Sequence, residues 1–302
     1  MRLRSVAKGL WSFWRRGQPV ERAGYMVGAL LFISGLVHLG ILAIGGGSWE
    51  GPVSLRKAAT FGLSFGLTLM TIVWVAAFLR LRDRTRLVLL GAFTVASALE
   101  TGLVSLQAWR GVPSHFNLET TFDGLVARSL AAGGFVLVAI IATLLSVAFR
   151  SHPRLPTSLR IAIRIGFATL FTSLVVGALM IAKGMVLVFR GNPQAAYATG
   201  GSLKPTYAVT MHAILVLPLL AWLVSFADWS ERRRVGVVLL GAAGYAVGAG
   251  VVAVENVVGL PVSKTPLGAA AVVFGFVGVL VAGFLACSGV ARSATAAGTE
   301  HD

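Results

Sequence analysis

Eight runs of apolar residues, each about 20 long, recur along this chain, and a helix of that length crosses a hydrocarbon core of about 30 Å. They fall near 25–46, 58–79, 87–108, 127–149, 161–189, 207–227, 235–258 and 267–290. Inside lipid every backbone N–H and C=O must be satisfied within the chain, so such runs fold as helices. The charge supply agrees, since 12% of the 302 residues are charged, against about 25% in a soluble domain. These features predict an all-α fold, a polytopic membrane helical bundle of about eight transmembrane helices with the lipid bilayer as its solvent.

The connections alternate in charge. Arg80, Arg82, Arg84 and Arg86 follow span two, Arg150, Arg154, Arg160 and Arg164 surround the turn after span four, and Arg232, Arg233 and Arg234 follow span six. Positive loops stay inside, which predicts both termini cytoplasmic in a multi-pass cell membrane protein. The same bias accounts for a net charge of +15 without a nucleic-acid partner. Arginine outnumbers lysine beside abundant Ala, Gly and Val, a composition typical of GC-rich bacterial genomes, and the expected location is a bacterial inner membrane. Three regions result: a basic amphipathic cytoplasmic segment at 1–24, the transmembrane domain at 25–290 and a cytoplasmic tail at 291–302. Residues 1–24 carry Trp11, Phe13 and Trp14 among interrupting charges, as an interfacial helix does and a cleavable signal does not. A lone Cys287 excludes an intramolecular disulfide and a multi-cysteine metal site.

Ionisable groups within a span cost roughly 2.5–3.5 kcal/mol near its centre and face a protein interior or a wet cavity. His38, Glu100, Lys183, His212 and Glu255 lie in spans one, three, five, six and seven. Under the predicted topology all sit in the outer halves, with His38, Glu100 and His212 about 10 Å inside. Glu100, Gln107 and Arg110 recur on one helical stripe, and glycines share the faces of His38 and Glu255. The expectation is one outward-facing polar pocket, with Pro218 free to kink span six beside His212.

Between spans three and four lies RGVPSHFNLETTFD. Gly111 and Pro113 end a helix there, and Thr120 with Asp123 has the spacing of a helix N-terminal cap. Ser114, His115 and Asn117 have no such local duty, so this segment is expected to fold over the pocket as a lid. Gln107 to Asn117, QAWRGVPSHFN, resembles a Q-A-x-R-G-x-x-S-H-F-N signature of uncharacterised bacterial multi-span membrane proteins, a resemblance that implies no activity. LVLLGA at 87–92 echoes VVLLGA at 237–242, each after an arginine run, as a repeat of four spans plus four would produce.

Four functions fit these residues. A transporter would take a small solute or ion from the outer side, with Glu100 as the coupling carboxylate and His38, Gln107, Arg110, His115, Asn117, Lys183, His212 and Glu255 around the ligand. A redox protein would bind haem or a divalent metal through His38, His212 and Glu100. An intramembrane enzyme would use His115, Glu100 and Asp123 as acid and base groups. An assembly partner would use the same groups only to fasten helices.

Overall fold

The computed structural model describes residues 2–150, 155–198, 203–260 and 265–296. Its helices, in chain order, are α1 (Arg2–Arg16), α2 (Pro19–Gly45), α3 (Arg56–Ala76), α4 (Asp83–Trp109), α5 (Thr121–Phe149), α6 (Thr157–Phe189), α7 (Pro193–Ala198), α8 (Lys204–Val224), α9 (Glu231–Val257) and α10 (Pro266–Ala296). All but α1 and the short α7 are long and apolar enough to cross a membrane, and each contains most of one apolar run. The protein is a multi-pass helical membrane bundle.

Two ends differ from the sequence reading. Helix α2 begins at Pro19 rather than at 25, because Glu21 accepts the backbone N–H of Gln18 at 2.7 Å and Pro19 presets the first turn. Glu21 is therefore a bundle residue, buried and ion-paired to Arg86 at 2.5 Å. Helix α10 runs on to Ala296, into the stretch read as a tail. Helix α1 packs on the bundle through Phe13, whose ring meets Phe78 at 5.5 Å, Trp74 at 6.2 Å and Trp222 at 6.3 Å. Trp11 points away and stays exposed.

Helices α3 and α8 are the most buried spans and touch one another, with the apolar core around them. Around this pair the last four spans repeat the packing of the first four. The neighbour pairs α2–α3, α3–α4, α4–α5 and α2–α4 are matched by α6–α8, α8–α9, α9–α10 and α6–α9. Helices α3 and α8 have 21 residues each, α4 and α9 have 27 each, and both pairs keep a constant offset of 148, Arg56 against Lys204 and Asp83 against Glu231.

Side chains follow the same register. Arg86 donates to the carbonyl of Leu79 at 3.3 Å, and Arg234 donates to that of Ala227 at 2.9 Å. Trp74 meets Phe78 edge to face at 5.4 Å, as Trp222 meets Phe226 at 4.9 Å. Asp83 accepts from Gln18 at the start of α2, and Glu231 from the Ser158 amide at the start of α6, both at 2.7 Å. Helices α4 and α9 end in the same turn, closed by Gly111 (φ 67°) and Gly259 (φ 76°), a left-handed conformation that glycine adopts freely. The LVLLGA echo is out of this register by two residues, its offset being 150.

Small residues set the closest crossing in the first half. A Cβ on Gly35 would lie 2.4 Å from the Leu63 amide of α3, and one on Gly62 would lie 2.6 Å from Gly35. Backbones can approach this far only where neither helix carries a side chain.

Candidate functional site

On the face opposite the arginines, α4 ends in a polar clamp. Buried Asp123 accepts from Gln107 at 2.9 Å, from Arg110 at 2.5 Å and from the Thr120 hydroxyl at 2.7 Å. Arg110 also donates to the Gln107 side-chain oxygen, and its guanidinium lies over the Phe122 ring at 4.8 Å. Thr120 caps α5 by accepting the Asp123 amide at 3.1 Å. The carboxylate is saturated, so Gln107 and Arg110 serve to tie the end of α4 to the start of α5.

From this clamp the connection turns inward. His115 lies against Phe61 of α3 with ring centres 6.0 Å apart, and its Nδ1 is 3.0 Å from the Ser114 hydroxyl. Burial and the nearby Lys57 cation push the His115 imidazole down to about 3. Phe116 has φ 65°, the left-handed region disfavoured for a residue with a Cβ. Its ring occupies the space left by Gly184 of α6, where a Cβ would sit 2.3 Å from the ring. Asn117 is fully buried; its oxygen accepts the Glu119 amide at 3.1 Å, and its nitrogen has no partner. The segment packs from α3 to α6.

The remaining candidates each find their own neighbours. His38 is buried: its Nδ1 meets the Ser34 carbonyl at 2.7 Å, and its Nε2 accepts the indole N–H of Trp109 at 3.0 Å. A haem iron or a metal would have to displace one of those bonds. Glu100 lies nine residues before Trp109, hence about 13 Å away along the axis of α4. His212 meets the Ala208 carbonyl of its own helix at 2.6 Å, on a helix whose neighbours are α3, α6, α9 and α10. Lys183 is exposed near the end of α6. Glu255 is buried and accepts from Thr265 at 3.0 Å, while Lys264 lies outside the described residues. A cleft of about 320 Å³ between α9 and α10 takes in Glu255 but not His38, Glu100 or His212. The packing thus brings Gln107 and Arg110 together and leaves His38, Glu100 and His212 in separate surroundings. Helix α8 continues through Pro218. Among the described residues, no three His, Cys, Asp or Glu side chains could hold a metal ion together.

Glu100 differs from the rest. Its carboxylate rests on the backbone of α5 at Gly133, where a Cβ would come 2.5 Å from Oε1, and Tyr207 of α8 lies within electrostatic reach. That Oε1 is buried without a hydrogen-bond partner, and so are the hydroxyls of Ser97 and Thr101. At spacings of three and four residues these groups share one face of α4. The sequence reading missed Ser97 and Thr101 because a hydroxyl in a span usually bonds back to its own helix. Thr71, Thr94, Thr143, Thr172 and Thr210 all do so, at 2.7–3.0 Å.

No family model, curated protein or solved structure matches the chain.

Proposed function

We propose that this protein is a transporter for a small solute or ion, placed in a bacterial inner membrane with its arginine-rich face toward the cytoplasm. The observation that carries the reading is Glu100, a carboxylate 5% exposed within a membrane-spanning helix, one oxygen of which has no partner. A purely structural carboxylate is expected to be saturated, as Asp123 is. One kept short of partners in a span is suited to exchanging a ligand. The repeat of four spans adds support, because many transporter folds are built from such repeats. In this reading Glu100 is the coupling group, and the ligand arrives from the side of the Ser114–Asn117 segment. His38, Gln107, Arg110 and His115 shape that approach.

Purified protein in proteoliposomes, screened for uptake of small solutes under imposed ion gradients, tests the reading. Glu100→Gln is expected to abolish the gradient-driven uptake that the unaltered protein shows, while Thr94→Val retains it. Equal uptake by the Glu100→Gln and unaltered proteins contradicts the coupling role.

A further inference from the structure

Three oxygen atoms on α4 are enclosed by protein without a hydrogen-bond partner, Ser97 Oγ, Glu100 Oε1 and Thr101 Oγ1, while the Gly134 amide of α5 lies beside the Glu100 carboxylate. Their residues are 0%, 5% and 2% exposed. Leaving one such group unpaired costs about 1–3 kcal/mol, and three on one helix face in a single stretch of α4 is a costly arrangement unless something fills it. The two hydroxyls have an alternative in the carbonyl four residues back, which other spanning threonines take. Ser97 and Thr101 do not take it.

The repeat isolates the feature. At the offset of 148, Ser97, Glu100 and Thr101 correspond to Tyr245, Gly248 and Ala249 of α9. There the tyrosine hydroxyl donates to the Val209 carbonyl, and the other two positions carry no polar side chain. One scaffold thus carries three oxygen ligands in its first half and is sealed in its second. In the first half Gly133 leaves room for the carboxylate, which a side chain there would push aside.

We propose that Ser97, Glu100 and Thr101 bind a small monovalent metal cation of the sodium or lithium class. Hydroxyl and carboxylate oxygens are hard ligands suited to such ions. One carboxylate balances one positive charge, so the loaded site is neutral and can lie within the bilayer, whereas a divalent ion would leave a net charge in a low-dielectric medium. The higher charge density of sodium and lithium strengthens their bonds to hard oxygens relative to potassium. Backbone carbonyls or water complete the shell. This inference names the coupling ion of the proposed transporter and rests on that reading for its purpose, although binding is measurable without flux.

The test is thermal unfolding of the full-length protein in detergent, titrated with sodium chloride while choline chloride holds ionic strength constant. Sodium is expected to raise Tm in a saturating manner, by about 5 °C at 100 times Kd, with lithium similar and potassium and calcium weaker. Glu100→Gln and the double variant Ser97→Ala/Thr101→Val are each expected to lose the sodium response, while Thr94→Val keeps it. If Glu100→Gln fails to fold, the double variant carries the test. Equal Tm in sodium and choline, or a sodium response that survives in the variants, overturns the proposal. Uptake that depends on Glu100 without a sodium response removes the cation site and leaves transport standing; a sodium response without uptake does the reverse.

Discussion

His115 packs against Phe61 beneath the connection between α4 and α5. Burial and the Lys57 cation lower its imidazole from 6.5 to about 3, so the folded protein resists a proton that the unfolded chain accepts. Its contribution to stability is complete above pH 6.5 and is lost as the pH falls toward 3. The Tm of the unaltered protein should therefore drop as pH is lowered from 7 to 4, and His115→Gln should flatten that slope; parallel Tm curves would contradict it. Trp109 offers a second check. Its indole N–H is held by His38 Nε2 at 3.0 Å, so Trp109→Phe leaves that nitrogen unbonded and is expected to lower Tm by more than Trp11→Phe, a change at an exposed position.

Helix ends in this protein are tied together by carboxylates. Glu21 of α2 and Arg86 of α4 form a largely buried pair, 8% and 13% exposed, and removing one partner strands the other charge. Glu21→Gln is expected to cost about 3 kcal/mol, with chemical denaturation in detergent as the measurement. Much of this level was legible in the sequence. The apolar runs located every span, and the Thr120/Asp123 spacing located the cap of α5. The start of α2 was not legible, because Glu21 reads as one of the charges of the basic segment at 1–24 until its partner, 65 residues away, is in view. The stripe of Glu100, Gln107 and Arg110 is a real helix face, but spacing names faces and not partners: two of the three turn to Asp123 and one to Gly133. The echo at LVLLGA pointed to a repeat in the wrong register, since apolar residues match one another too readily to fix an offset; glycine turns, ring pairs and arginine contacts fix it at 148.

Across the whole molecule, two units of four spans meet along α5 and α6 and at α3 and α8, joined by the connection between α5 and α6. Each unit holds its own network of caps, so residues 1–150 and 155–302 produced as separate chains in one cell should assemble and co-purify; recovery of either fragment only alone would contradict an interface of paired helices. The units are alike in packing and unlike in chemistry, because the first encloses Ser97, Glu100 and Thr101 where the second places Tyr245, Gly248 and Ala249. The most direct measurement is an experimental density map of the protein prepared in sodium chloride. Ordered density within bonding distance of the Ser97 and Thr101 hydroxyls and the Glu100 carboxylate is the predicted result. Hydroxyls turned back to their own helix carbonyls, with Glu100 bonded to another side chain and nothing between them, would contradict it.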